Sequence, residues 1–371
     1  MKTLFKSYLM VLLLFSFVTS NANSNPTNKQ FIKVALLLDT SNSMDGLIDQ
    51  AKAQLWSIVN ELSYAKCNNE HPNLRIALYE YGNDNLSSQE GYIRQVIGFT
   101  SDLDDISKEL FSLTTNGGNE FCGQVIQTSL NQLDWGNNPD DLKLVFIAGN
   151  EPFTQGQINY KHAATNANEK DITINTIFCG NYQEGVNTSW KDGALLTNGD
   201  YMSINHNKRT VHIASPYDDA ILELNKKLNK TYVGYGKKGK SKIAMQSVQD
   251  GEAESYSKAN AVKRSISKSS HFYKNSKWDL VDAIEEDEKV LDEIVVTELP
   301  PELQGKSPEE IKAFITKKGK ERAAIQKQIQ ELNTKRRSYV AKQQSKTNNA
   351  LENAMISAIK TQAKKKNYQW D

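Results

Sequence analysis

One stretch near the start of the chain, Val34–Met44, constrains the fold more than any other. It opens with five consecutive apolar residues, Val34 to Leu38, which predict a strand buried on both faces. Asp39, Ser41 and Ser43 follow at alternate positions, and the apolar residues after Met44 have helical spacing. The oxygen-bearing side chains therefore lie in a strand-to-helix loop, which is where open α/β sheets bind ligands.

The rest of the first 235 residues alternates strand and helix patterns, which predicts an α/β fold with a mostly parallel central sheet flanked by helices. Residues 74–81 and 92–99 predict a β-hairpin around Gly82. Residues 142–148 and 172–178 predict two further buried strands, each followed by polar loop residues. An amphipathic helix around Ile221 and Leu228 is expected to close this domain, which we place at residues 30–235.

The N-terminal residues 1–22 predict a secretory signal peptide. Lys2 and Lys6 precede an apolar run from Tyr8 to Val18, and a small-x-small cleavage pattern follows at residues 20–22. No later stretch reaches the roughly 20 apolar residues that a membrane-spanning helix needs. We therefore expect an exported protein without a transmembrane segment, either periplasmic or secreted.

The C-terminal part differs from the rest in charge. Residues 301–371 contain 16 Lys and Arg against 7 Asp and Glu, a net charge of +9 within a chain of net charge +1. We interpret residues 236–300 as a polar linker with one docking helix, and residues 301–371 as a basic antiparallel helical hairpin or short coiled coil. Such a tail suits an anionic envelope surface or an acidic partner, whereas export argues against nucleic acid.

The loop of Asp39, Ser41 and Ser43 has the oxygen donors that a hard divalent cation prefers. Its D-x-S-x-S spacing resembles the metal-ion-dependent adhesion site (MIDAS) of the von Willebrand factor type A (VWA) family. The strand and helix order of residues 30–235 agrees with that resemblance, which implies a Rossmann-like VWA domain. Phrases such as Ile147–Phe153 and Trp278–Asp282 also resemble an uncharacterised exported bacterial branch of the family.

The resemblance implies further ligands from two other loops. Asn119 and Glu120 match the second loop, and Asn150 lies in the third, where Gly149 replaces the family's aspartate. We therefore predict a site for Mg²⁺, or Mn²⁺ or Ca²⁺, at Asp39, Ser41, Ser43, Asn119, Glu120 and Asn150. The alternative interpretation is that these residues only cap a helix or shape turns, as Ser, Asp and Asn commonly do.

The family resemblance implies a non-enzymatic role in which a protein or peptide partner completes the metal shell. The five histidines are scattered, and none of the three cysteines has the sequence context of a catalytic thiol. An exported chain favours disulfides, and Cys122 with Cys179 is the favoured pair because both follow elements that end at the site. Two alternatives remain, a metal-free scaffold acting through the basic helices and a metal-dependent hydrolase.

Overall fold

The computed structural model describes residues 30–208, 212–343 and 350–370. The predicted signal peptide and the predicted polar turn at residues 344–349 lie outside these ranges. The strands of the described residues are β1 (Phe31–Asp39), β2 (Ala65–Cys67), β3 (Asn73–Tyr81), β4 (Ile93–Thr100), β5 (Leu142–Gly149), β6 (Thr173–Phe178), β7 (Tyr201–Ser203) and β8 (Tyr368–Trp370).

Six of these strands form one sheet in the order β4-β3-β1-β5-β6-β7. All neighbouring pairs are parallel except β3 with β4, which is the predicted hairpin. Strand β1 lies in the middle, so its last residue, Asp39, is flanked on both sides by the carboxyl ends of parallel strands. The predicted α/β fold with a mostly parallel sheet is confirmed.

Helices follow most of the strands and continue beyond the sheet. They are α1 (Asp45–Leu62), α2 (Leu103–Ser112), α3 (Cys122–Gln132), α4 (Tyr160–Glu169), α5 (Tyr182–Asn187), α6 (Trp190–Leu195), α7 (Asp218–Asn229), α8 (Gly236–Tyr256), α9 (Lys258–Lys268), α10 (Leu280–Glu286), α11 (Val290–Glu293), α12 (Pro308–Gln343) and α13 (Ala350–Lys364). None of the described helices is long and apolar enough to span a bilayer.

Strand β1 contributes to two separate cores because its side chains alternate between the faces of the sheet. Val34 and Leu38 pack in one core with residues of α1, α9 and α13. Ala35 and Leu37 pack in the other core with residues of α3, α4 and α6. The continuous apolar run of β1 is thus explained by burial on both faces, as expected for a central parallel strand.

The predicted disulfide between Cys122 and Cys179 is wrong, because both cysteines are free and buried. They belong to cores on opposite faces of the sheet, Cys122 with Tyr81 and Cys179 with Ile177. Alternation along β6 causes this separation, since Phe178 and Cys179 point to different faces. Cys67, the third cysteine, is also free and buried.

Residues 236–300, predicted as a polar linker with one docking helix, contain the helices α8, α9, α10 and α11, and α8 and α9 pack on α2, α1 and α7. Some charged residues of this segment form a buried ionic network. Arg264 on α9 pairs with Asp104 of α2 and with Asp250 of α8, each at 2.7 Å. Lys268, which is fully buried, pairs with Asp250 at 2.9 Å. The many charged residues of this segment predicted a solvent-exposed linker. Ion pairing lowers the cost of burying these charges, so the segment packs against the domain.

Residues 301–371, for which a helical hairpin or short coiled coil is predicted, contain the helices α12 and α13. The capping box at the start of α12 is as predicted, with the Ser307 amide donating to Glu310 and the Glu310 amide donating to Ser307 Oγ. However, α12 packs mainly on α7, α9 and α10, and α13 packs on α1. Leu351, Met355 and Ile359 of α13 complete the core over β1. The apolar positions of α12 therefore face α7, α9 and α10, and those of α13 face the core over β1.

Two buried arginines attach α12 to the rest of the chain. Arg322 pairs with Asp279 at 2.6 Å and with Asp282 at 2.7 Å, and its guanidinium also donates to the Thr231 carbonyl. Arg336 pairs with Asp218 at 2.9 Å. Removal of one partner would leave the opposite carboxylates buried without compensation.

We expect Arg322→Met to lower the free energy of unfolding by about 3 to 5 kcal/mol, because it strands two buried carboxylates. Lys327→Met on the exposed face of α12 is the matched control and should change it by less than about 0.5 kcal/mol. Urea unfolding followed by circular dichroism measures both. Equal stability of the two variants would show that Arg322 does not attach the helix.

Candidate metal centre at the carboxyl edge of the sheet

The predicted ligands come from three loops that meet where β1, β3 and β5 end. Asp39 is the last residue of β1, and Ser41 and Ser43 lie in the turn before α1. Glu120 precedes α3, and Asn150 directly follows β5. Parallel pairing of β1 with β3 and β5 brings these loops to one edge.

Asp39 is completely buried, and only one of its oxygens has a protein donor. Oδ1 accepts a hydrogen bond from the Ser41 amide at 2.8 Å. Oδ2 is buried without a hydrogen-bond partner among the described residues. A buried carboxylate oxygen without a donor is costly, which indicates that a cation or a proton satisfies it.

Glu120 lies against Asp39 and also has an oxygen that lacks a hydrogen-bond partner. It is 4% exposed, and its Oε2 is also buried without a partner among the described residues. The two carboxyl groups are crowded against Gly82: a Cβ at that position would lie 2.6 Å from Glu120 Cγ and 3.0 Å from Asp39 Oδ1. Glycine at position 82, with φ of +78°, therefore makes the space in which the two acids meet.

Burial raises the pKa of both acids. Burial raises the pKa of Asp39 to about 6. Burial and the neighbouring Asp39 charge raise the pKa of Glu120 to about 9. Two like charges this close disfavour joint ionisation, so without a cation the pair retains a proton at neutral pH. A divalent cation between them would remove that penalty.

The hydroxyls and Asn150 form a short chain beside the carboxyl pair. Ser41 Oγ lies 3.3 Å from Ser43 Oγ, and the Ser43 hydroxyl donates to Asn150 Oδ1 at 3.4 Å. Neither Ser41 nor Met44 caps a helix through its side chain, so the capping alternative finds no support at these positions. Asn119 is exposed, and no contact of its side chain places it with the others.

The donor set fits a hard divalent cation. It comprises two carboxylates with unsatisfied oxygens, adjacent hydroxyls and one amide oxygen, all of them oxygen ligands such as Mg²⁺ and Mn²⁺ accept. Among the described residues, no group of three or more His, Cys, Asp and Glu side chains could hold a metal. A cation at this edge therefore depends on serine hydroxyls and water as well as on Asp39 and Glu120.

Two neighbours of the pair were not identified from sequence. Glu151 contributes a negative charge that raises the pKa of both Asp39 and Glu120, although less than burial does. Tyr81 fills the space beside Gly149, where a Cβ would lie 2.5 Å from the Tyr81 hydroxyl. That hydroxyl donates to the Ala148 carbonyl at 3.0 Å. The alternating pattern of β3 marked Tyr81 as a strand residue but could not show which loop it meets.

We expect the metal-free protein to lose stability as pH rises, because the folded state holds a proton on Glu120 between its ordinary pKa of 4.5 and about 9. The unfolded chain has released that proton, so Glu120 contributes a slope of at most about 1.4 kcal/mol per pH unit. Urea unfolding in chelator from pH 5 to 8 should show a smaller slope for Glu120→Gln. Parallel curves for the two proteins would contradict the shared-proton arrangement.

We expect Gly82→Ala to destabilise the fold and to abolish cation binding, since its Cβ would collide with Glu120. Gly305→Ala is the matched control, because Gly305 has a similar φ of +79° but a Cβ added there would have no other atom within 4 Å. The control should cost only about 1 kcal/mol, from the left-handed backbone. Thermal unfolding and a Mn²⁺ titration of both variants measure the difference, and equal losses would contradict the steric role of Gly82.

Comparisons with known proteins agree with this architecture. The family model of the von Willebrand factor type A domain matches residues 33–189. Solved structures with similar folds include proximal thread matrix protein 1 from the mussel byssus, at 12% identity over 47% of this chain and 42% of that one, with a TM-score of 0.36. This chain thus spans about two fifths of that protein.

A second structure of the mussel protein, with a zinc occupied MIDAS motif, is 14% identical over 48% of this chain and 43% of that chain, with a TM-score of 0.38. The conserved hypothetical protein BatB from Bacteroides thetaiotaomicron is 15% identical over 47% of this chain and 90% of its own, with a TM-score of 0.36. No curated protein gives a significant match. The family match over residues 33–189 and the strand order together identify the first part of this chain as a von Willebrand factor type A domain.

Proposed function

We propose that this protein is an exported, non-enzymatic VWA-domain protein that binds a protein or peptide partner through a divalent cation at Asp39, Ser41, Ser43 and Glu120. The observation that carries the proposal is the buried pair of Asp39 and Glu120, in which one oxygen of each carboxyl group has no partner among the described residues. A cation placed there satisfies both oxygens and presents its remaining coordination positions at the edge of the sheet.

Mg²⁺ and Mn²⁺ are the proposed cations, with Ca²⁺ as a third choice because the donors are all oxygen. Asp39, Ser41, Ser43 and Glu120 would hold the cation, which would supply a Lewis-acidic position for an oxygen of the partner. Export follows from the apolar run at residues 8–18 of the sequence and is likewise part of the proposal. The sequence around Ser41 and Ser43 lacks the glycine-flanked turn that exposes a nucleophilic serine, which disfavours a serine hydrolase. A hydrolase in which the metal activates water is the second candidate function.

The alternative of a metal-free scaffold acting through a free basic tail is less favoured. Arg322 and Arg336 of α12 are buried in ion pairs with the rest of the chain, so they are not available to an external partner. The apolar residues of α13 are buried in the core over β1. What remains for such a role is the exposed face of α12, with lysines such as Lys320 and Lys327.

We expect Mn²⁺ or Mg²⁺ to stabilise the chelated full chain, by about 2.7 kcal/mol at a hundredfold excess over the dissociation constant. Asp39→Asn should lose this response, because it removes one of the two negative charges facing the cation. Glu70→Gln, an exposed acid beyond the opposite edge of the sheet, is the matched control and should respond like the wild type. Thermal unfolding with and without each metal measures the shift.

Either of two results would reject the metal-dependent function. One is the absence of a shift with any of the three cations, which would leave the pair as a protonated structural element. The other is an equal shift in Asp39→Asn, which would place the cation elsewhere on the chain.

A further inference from the structure

The loops around the candidate metal centre are markedly acidic. At the carboxyl edge of the sheet the described residues contribute Asp39, Asp45, Asp84, Glu90, Glu120 and Glu151 from the connections that follow β1, β3 and β5 or precede α3. The buried pair accounts for only Asp39 and Glu120. The other acids lie at the rim, where a partner would meet them.

Three of the rim acids lie in or against the loops that carry the pair. Glu151 directly follows Asn150, whose Oδ1 accepts a hydrogen bond from the Ser43 hydroxyl at 3.4 Å. Asp84 lies over the glycine-rich loop, since a Cβ at Gly117 would be 3.5 Å from its Oδ2. Asp45 accepts a hydrogen bond from the Thr115 hydroxyl of the same loop.

No cation among the described residues forms an ion pair with Asp45, Asp84 or Glu151. Arg94 pairs with Glu80 at 2.5 Å, and Lys161 pairs with Asp192 at 3.5 Å. The exposed Lys208 forms no ion pair with these three acids among the described residues. The loop of His206 packs against the start of α1, since a Cβ at Gly46 would collide with the His206 carbonyl oxygen. The rim therefore presents negative charge that the chain itself does not compensate.

A bound divalent cation would not cancel the negative charge of the rim. A divalent cation between Asp39 and Glu120 is neutralised by those two carboxylates, so the loaded centre is neutral and the rim stays negative. A partner carboxylate approaching the metal would be repelled by Asp45, Asp84 and Glu151, whereas a neutral oxygen would not. Lysine or arginine beside that oxygen would gain attraction from the same rim.

We propose that the partner is a basic polypeptide segment, which offers a neutral carbonyl or hydroxyl oxygen to the metal and pairs lysine or arginine side chains with Asp45, Asp84 and Glu151. This inference rests on the proposed metal-dependent function and specifies the partner's chemistry. A site of this kind differs from one in which an aspartate or glutamate of the partner binds the metal.

The experiment is a selection of displayed random peptides on the full chain with Mn²⁺, repeated in chelator. We expect peptides enriched in Lys and Arg and depleted in Asp and Glu. A synthetic copy of an enriched peptide should bind at least about tenfold more weakly when its basic residues are replaced by glutamate, and more weakly as salt rises. The triple variant Asp45→Asn, Asp84→Asn, Glu151→Gln should lose the basic preference.

The control is a second triple variant, Glu70→Gln, Asp140→Asn, Glu169→Gln, which removes the same charge from exposed positions at the opposite edge. It should select the same basic peptides as the wild type. Enrichment of acidic peptides with Mn²⁺, or a basic preference that the rim variant keeps, overturns the inference and leaves metal-dependent binding in place. A third result is a preference for basic peptides that the rim variant loses but that chelator and Asp39→Asn leave unchanged. It would overturn the metal-dependent function and show that the rim acids bind basic peptides without a metal.

Discussion

The structure depends on the burial of β1 in the middle of a parallel sheet. Both faces of this strand are covered, and β3 and β5 pair with it along almost its whole length. The strand ends at Asp39, so the burial that stabilises the sheet also removes this carboxylate from water. Everything else at the site follows from how the chain accommodates a charge in that position.

The residue packed against the buried Asp39 carboxylate is a second acid rather than a base. Glu120 lies against Asp39 in space that Gly82 and Gly149 leave free, and neither carboxyl group meets a lysine or arginine. Such a pair either holds a proton or binds a cation. Elsewhere in the chain buried acids are paired with bases, as Asp104 and Asp250 are with Arg264. The contrast supports a ligand-binding role for the Asp39 and Glu120 pair, because other buried acids of this chain are neutralised by a base and this pair is not.

The helices after residue 235 belong to the same packed body as the sheet. Helix α13 covers the core over β1, while α8 and α9 are attached to α2 and α7 by buried ion pairs and hydrogen bonds. Part of the positive charge of the C-terminal region is therefore paired with acids inside the protein. The carboxyl edge of the sheet keeps its negative charge, which gives the candidate binding surface an electrostatic character distinct from that of α12.

The sequence by itself determined the sheet strands, the loop of Asp39, Ser41 and Ser43, and the family, because buried apolar runs and alternating polar side chains are local patterns. It also indicated Glu120 and Asn150 as neighbours of that loop. Only the tertiary structure decided that Cys122 and Cys179 lie on opposite faces, that Arg322 and Arg336 are buried, and that Asn119 is exposed. Those outcomes depend on which distant segment covers each side chain, and burial of a charge depends on a partner far away in the chain.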